Sequence, residues 1–419
     1  MSDRQTMISY EEALAIVLKT AGGRRMQTES IPAATCAGRV CAQGLKVPLS
    51  IQPFDNSAMD GFAVVCSDLV GASEDKPVTL RKAGMIAAGD PVPENPVEPG
   101  SCIQIMTGAP VPPKADAVVP VELVKVEGEN ICFTAQPKEH ANIRMAGEDF
   151  TKGDELLQPG QCLSPAHVLP LATLGIDAVE VYKKPRAAFL ATGKELMDDL
   201  SQDLKSGQIY NSNRPYALAA LEKMGGVCVN SQTIHDDPAI FDRVLKEYMD
   251  QNLDLIISSG AVSAGEFDFV RSGLEKAGAE ILFHKVKIKP GKPNLFARLP
   301  NGTLYFGLPG NPVASAAGLR FFVDPALRAM TGRNPESPVQ AKVMNGFSKH
   351  SHLRMFLKAR AEIWEDGLLT VDLLDGQASF MVSPFLEMNC WAMAPEGKEE
   401  IKAGDMIDLY PLFPHEGLI

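Results

Sequence analysis

Apolar and polar positions change rhythm three times along this chain. Near the start, Ser9-Tyr10-Glu11-Glu12 reads as a capping box, in which Ser9 and Glu12 satisfy each other's backbone N–H groups. Ala13, Leu14, Val17 and Leu18 then share one helical face. From about residue 45 to 160, apolar runs such as 61–65 and 117–119 are short and broken by Pro and Gly, which predicts strands joined by tight turns. From about 185 the runs 186–191, 254–259 and 303–308 have strand length, and a helix is predicted after Asn213, with Pro215 near its start and Gly225-Gly226 at its end. Repeated strand–helix units indicate a parallel sheet covered on both faces. Past Pro335 and Pro338, residues 369–373 alternate as a strand again. The predicted fold class is α/β multidomain, with a central parallel-sheet domain between β-rich parts.

The length of 419 residues allows two to four domains at ~100–200 residues each. A net charge of -12 argues against nucleic acid or an anionic membrane as partner. No apolar run reaches the ~18 residues of a membrane span, and the polar opening segment lacks a secretory signal's apolar core. The 8 cysteines are scattered without a Cys-x-x-Cys pair, as expected of reduced thiols in a cytoplasmic protein. His350 and His352 suit a strand face but have no third partner, so no zinc site is expected.

Ligands of parallel α/β sheets bind beyond the carboxyl ends of the strands, so the chemistry is sought there. The run 304–308 leads into Pro309-Gly310-Asn311-Pro312, where Asn311 can cap a helix and Pro312 suits its first turn. The free N–H groups there favour an anion, although an ordinary strand–turn–helix joint reads the same way. Lys285, Lys287 and Lys289 alternate, and Lys292 follows on a Pro/Gly turn, so these lysines form either a solvated face or an oxyanion pocket. The small residues from Ser258 to Gly265, including Gly260 and Ser263, permit close backbone approach to a ligand. Glu266 and Asp268 then either complement a helix dipole or reach a metal. Asp60, Asp149, Glu195, Asp236 and Asp237 stand in turn contexts, as caps or as oxygen ligands for Mg2+. Phosphate-binding P-loop and dinucleotide fingerprints are both missing.

The ordered motifs go further. Pro53-Phe54-Asp55-Asn56-Ser57-Ala58-Met59-Asp60-Gly61, then Met106-Thr107-Gly108-Ala109-Pro110, Asn142-Ile143-Arg144 through Asp149, Thr192-Gly193-Lys194-Glu195, Tyr210-Asn211-Ser212-Asn213, Asp236-Asp237-Pro238, the loop from Ser259 to Glu266, Lys287 through Pro293 and Gly307 through Pro312 follow in register. This series resembles the molybdopterin molybdenumtransferase family (MoeA and the E domain of gephyrin) over nearly the whole chain. The resemblance implies four parts: an α/β molybdopterin-binding domain of residues 1–27 plus 179–332, a linking subdomain of 28–48 plus 152–178, a β-rich lobe of 49–151, and a C-terminal β-barrel-like domain of 333–419. It implies a homodimer that inserts molybdate into adenylyl-molybdopterin and releases AMP with Mg2+. It also implies molybdopterin adenylyltransferase and apo-molybdoenzymes as candidate protein partners.

By motif match, Asp60, Asp149 and Glu195 would be catalytic and hold the metal, and Lys287, Lys289 and Lys292 would offset anionic charge. Thr107 would hydrogen-bond substrate or an acidic neighbour. Asn213, Asp236, Gly260, Ser263, Gly265, Asp268, Pro309, Gly310, Asn311, Pro312, Arg354 and Ser383 would bind the pterin substrate. The chain departs from the family at Lys194, which stands beside Glu195 and can pair with it or reach phosphate. It departs again at Ala261, where a second glycine is usual and positive φ is expected to be poorly tolerated. Two alternatives remain: a gephyrin-type scaffold without catalysis, and a competence-damage-type nucleotide hydrolase sharing only the α/β domain.

Overall fold

The computed structural model describes residues 7–261, 269–349, 352–364 and 367–413. The chain folds as two compact units, one of residues 43–158 and 166–177, the other of residues up to 42, 159–165 and from 178 onward.

In the larger unit the capping box forms as the sequence predicts. Glu12 N donates to Ser9 Oγ at 3.1 Å and Ser9 N donates to Glu12 Oε2 at 2.8 Å, opening helix α1 (Tyr10–Gly22). The helix buries Tyr10, Ala13, Val17 and Ala21 against a core that includes Phe283, Phe321 and Phe356.

The central sheet contains β1 (Arg186–Thr192), β2 (Val227–Ile234), β3 (Leu255–Ser259), β4 (Glu280–His284), β5 (Leu295–Arg298) and β6 (Leu304–Leu308), in the order β2-β1-β3-β6-β5-β4. β2, β1, β3 and β6 are parallel, as the strand–helix alternation predicts. β5 and β4 close one edge as an antiparallel ribbon. Side chains alternate along β1, so Ala187, Phe189 and Ala191 join one core and Ala188 and Leu190 the other. Helices α2 (Asn213–Lys223) and α5 (Pro312–Gly318) cover the first face; α3 (Pro238–Met249) and α4 (Phe269–Lys276) cover the second. From β1 the chain passes first to β2 on one side and then to β3 on the other. The crevice between the ends of β1 and β3 is therefore the switch point at which such sheets take ligands.

Asp237 caps α3 by accepting from Ala239 N at 2.7 Å and Ile240 N at 3.3 Å. Replacing it with Ala is expected to cost about 1 kcal/mol of stability, read as a lower urea midpoint with an unchanged slope.

Beyond α5 the helix widens into a π-turn (Leu319–Val323) before Asp324–Met330. The turn buries Arg320, which donates to Asp324 Oδ2 at 3.3 Å, Glu336 Oε2 at 2.6 Å and Pro411 O at 3.0 Å. Arg320 thereby ties the α/β core to the C-terminal strands. There, Val339–Val343, Arg354–Ile363, Leu369–Leu373, Cys390–Ala394 and Met406–Pro411 close into a five-stranded barrel, because Arg354–Ile363 pairs with strands on both its sides. Its interior is apolar, with Leu357, Ala359, Ala392 and Leu409 fully buried.

The smaller unit carries a six-stranded sheet of short strands, in which Gly61–Val64 lies between Ala117–Pro120 and Ser101–Ile105. Phe62 and Phe133 meet edge to face in its core, with ring centroids 6.4 Å apart. Among the described residues, no helix is long and apolar enough to cross a membrane.

Candidate active site

A cavity of about 660 Å³ opens at the switch point of the central sheet. Thr192 at the end of β1, Ser259 at the end of β3 and Pro309–Pro312 after β6 form its floor. Asn213, the first residue of α2, bridges two of these strand ends: its Nδ2 donates to Ser259 Oγ and to Gly310 O, both at 2.7 Å. Ser259 Oγ in turn donates to Pro309 O at 3.3 Å.

Glycine is required at position 260 on this floor. Gly260 has φ +102°, and a Cβ there would lie 2.5 Å from Thr192 O. A Cβ on Gly193 would lie 2.8 Å from Glu195 Oε1, because the Glu195 carboxylate folds back over that glycine. Ala261 adopts φ +50°, so the left-handed turn persists there despite the side chain.

Glu195 and Asp236 both line the cavity. The adjacent acids thus divide their work: Asp236 faces the cavity, whereas Asp237 caps α3. Lys194 is exposed and, among the described residues, forms no ion pair with Glu195. Asn311 occupies the N-cap of α5 without a side-chain cap hydrogen bond, so the expected capping by Asn311 is not made, while Pro312 does take the first turn.

The lysine segment keeps its alternation. Val286, Ile288 and Pro290 are buried, whereas Lys285, Lys287 and Lys289 turn outward, although Lys285 has φ +74° and interrupts the strand. Lys287 lies 3.6 Å from Glu396. Lys289 and Lys292 are exposed and have no carboxylate partner among the described residues. Pro293, rather than a lysine, is the residue by which this turn lines the cavity.

Arg354 is the lysine segment's neighbour, since its backbone N donates to Lys287 O at 3.1 Å. Its guanidinium is engaged by the Glu11 carboxylate and lies 5.2 Å from the Tyr10 ring centroid. Ser383 belongs to a different cavity, shared with Asp372, Asp375 and Glu387. The C-terminal residue that does line the switch-point cavity is Phe380, which sequence reasoning missed. Ser263, Gly265, Glu266 and Asp268 lie outside the described residues.

In the smaller unit, Asp60 is exposed and held by one neighbour. Thr107 donates to Asp60 Oδ1 through both its backbone N, at 2.7 Å, and its Oγ1, at 2.8 Å. The acidic neighbour expected for Thr107 is therefore Asp60. These bonds favour the charged form and hold the carboxyl below its ordinary range, the backbone donor most strongly. Thr107→Val removes the hydroxyl donor and is expected to raise the Asp60 pKa, measurable by NMR titration of the carboxyl carbon. Asp149 is also exposed, and its backbone N donates to Ile51 O at 2.9 Å. Among the described residues, no three His, Cys, Asp or Glu side chains converge as a metal cage.

A cavity at the switch point of a parallel sheet, with a closed barrel following in the chain, marks an α/β protein of the class that takes ligands at that point. The chain matches family models described as the MoeA N-terminal region (domain I and II) over residues 8–175, a probable molybdopterin binding domain over 188–329, and the MoeA C-terminal region (domain IV) over 340–412. It is 33% identical over 410 residues to the molybdopterin molybdenumtransferase of Synechococcus elongatus, covering 97% of this chain and 100% of that one. Against the Haemophilus influenzae molybdopterin molybdenumtransferase the identity is 36% over 390 residues, covering 92% and 94%. The crystal structure of the molybdopterin biosynthesis moeA protein from Pyrococcus horikoshii OT3 superposes with a TM-score of 0.81 at 29% identity, covering 96% of this chain and 99% of that one. The chain belongs to the molybdopterin molybdenumtransferase family of enzymes.

Proposed function

We propose that this protein inserts molybdate into adenylyl-molybdopterin, forming the molybdenum cofactor and releasing AMP. The observation that carries the reading is the switch-point cavity, built from the motifs that resemble the family. Asn213, Gly260 and the Pro309–Pro312 turn would cradle the pterin and its phosphates, with Asp236 hydrogen-bonding a ring or ribose donor. Lys287, Lys289 and Lys292 would offset the charge of molybdate and phosphate, and the exposure of Lys289 and Lys292 supports that role. Asp60, oriented by Thr107, and Asp149 are proposed as catalytic carboxylates of the smaller unit, and Glu195 as one of the larger. Ser263, Gly265 and Asp268 would complete the pterin contacts. Arg354 would have to part from Glu11 to bind substrate, whereas Ser383 is exposed at a different cavity. The dithiolene sulfurs belong to the substrate, so no protein cysteine is required as a ligand.

Mg2+ commonly uses one or two carboxylates together with substrate phosphates. Glu195 and Asp236 in one cavity fit that demand on the larger unit. Bound there, the ion would neutralise phosphate charge. We further propose a cytoplasmic homodimer with the four-part division read from the sequence. The paired carboxylates and open lysines favour an enzyme over a scaffold.

The test is to incubate the protein with adenylyl-molybdopterin, Mg2+ and molybdate, and to assay reconstitution of an apo-molybdoenzyme. Active molybdoenzyme is expected. Tight pterin binding without reconstitution would favour the scaffold.

A further inference from the structure

Phe380 is 68% exposed, yet it does not hang from a loose loop. The segment that carries it is clamped from beneath by Lys358, which sits fully buried on the barrel strand Arg354–Ile363. The Lys358 ammonium donates to three carbonyls of this segment: Gly376 O, Ala378 O at 3.2 Å and Met381 O at 2.9 Å. The backbone of Lys358 is engaged as well. Its N donates to Gln377 Oε1 at 3.0 Å, and its O accepts from Gln377 Nε2 at 2.8 Å. On the far side, Ser379 O accepts from Val313 N at 3.2 Å, so the residue before Phe380 is tied to the first turn of α5. Residues on both sides of Phe380 are thus fixed, one of them to the helix that follows the cavity floor.

The rest of the cavity lining is chiefly hydrogen-bonding or small, with a second exposed aromatic, Tyr210, at 39% exposure. Among the described residues, no other aromatic ring packs on Phe380. An unstacked ring carried on a fixed backbone at the edge of this cavity suits a flat nitrogen heterocycle, which gains most from an aromatic face.

We propose that Phe380 is a specificity-determining residue of the switch-point cavity, whose ring stacks on a planar nitrogen heterocycle of the substrate, and that Lys358 is the positioning residue that holds it there. The inference rests on the cavity taking adenylyl-molybdopterin, a substrate with two such ring systems, pterin and adenine. It adds the residue that reads their flatness.

The test is calorimetric titration of the full chain with AMP, with molybdopterin, and with ribose 5-phosphate as the ring-free control. Phe380→Ala is expected to weaken AMP or molybdopterin by at least about fivefold, the lower bound for loss of one stacked base. Ribose 5-phosphate should be unaffected. Phe380→Tyr should restore the affinity and Phe380→Leu should not. Loss confined to AMP assigns the adenine, loss confined to molybdopterin assigns the pterin, and either supports the proposal. Changes under twofold for both ligands, full affinity in Phe380→Leu, or an equal loss for ribose 5-phosphate would overturn it while leaving the insertase reading intact. A wild-type protein that binds neither AMP nor molybdopterin would overturn both. Lys358→Met should weaken the same ring-bearing ligand in the wild-type background but not further in Phe380→Ala, and an equal additional loss there would overturn the positioning role. Should Lys358→Met fail to fold, the Phe380 series decides the proposal alone.

Discussion

Asp60→Asn is expected to lower molybdate-dependent AMP release by about 100-fold or more while lowering the melting temperature only slightly, since the Thr107 bonds favour the charged form. The two halves of this result have separate causes. Asparagine keeps an oxygen at Oδ1, so both Thr107 donors retain their acceptor. The side chain is exposed, so no packing is lost. The negative charge disappears, an NH2 donor replaces Oδ2, and the Thr107 bonds persist in a weaker, neutral form. In the proposed reaction that charge acts on the reacting groups, and loss of one preorganised electrostatic contact at an active site typically costs about 10²–10³ in rate. Single-turnover AMP release, followed by circular dichroism of the same sample, checks both halves. A variant within threefold of wild type would reduce Asp60 to a turn residue.

Gly61→Ala, one position along, should act on stability instead. A Cβ at Gly61 would lie 2.1 Å from Val119 O, 2.8 Å from Val119 C and 3.0 Å from Pro120 Cα. All three are backbone atoms of the neighbouring strand, so no side chain can rotate away. Relief requires parting Gly61–Val64 from Ala117–Pro120, at the heart of the smaller unit's sheet. Overpacking of this kind costs about 1–3 kcal/mol and occasionally more, and the rigid obstacle puts the expected loss at or above about 3 kcal/mol. Gly84→Ala is the matched control, since its Cβ would meet nothing nearer than Ile103 Cδ1 at 3.9 Å. Urea unfolding should show a large drop in midpoint for the first variant and a change under about 1 kcal/mol for the second.

Much of this site could be read along the chain because its parts are local. The strand–turn–helix joint at Leu308–Pro312, the helix opening at Asn213 and the small residues after Ser259 each carry their signal within a few positions. What could not be read depends on distant partners. Asp236 and Asp237 are chemically alike in sequence, and only the direction of α3 makes one a cap and the other a cavity wall. Arg354 meets Glu11 across 343 positions, so its engagement has no local trace. Phe380 reaches the cavity because the barrel returns the chain to the start of α5, a consequence of closure rather than of any motif near it. Asn311 had a capping residue's identity and position, yet its side chain makes no cap bond. Lys194 had Glu195 as chain neighbour, and adjacency did not bring the charges together. The antiparallel edge of the central sheet also escaped the strand–helix rhythm, because β4 and β5 are joined by the lysine turn and not by a helix.

The central claim is that molybdate is a reactant, and the dependence of AMP release on molybdate tests it most directly. Initial rates of AMP release from adenylyl-molybdopterin should rise from near zero and saturate as molybdate is added, with one cofactor formed per AMP. AMP release at full rate without molybdate would contradict the claim and identify the protein as a hydrolase of the adenylylated pterin.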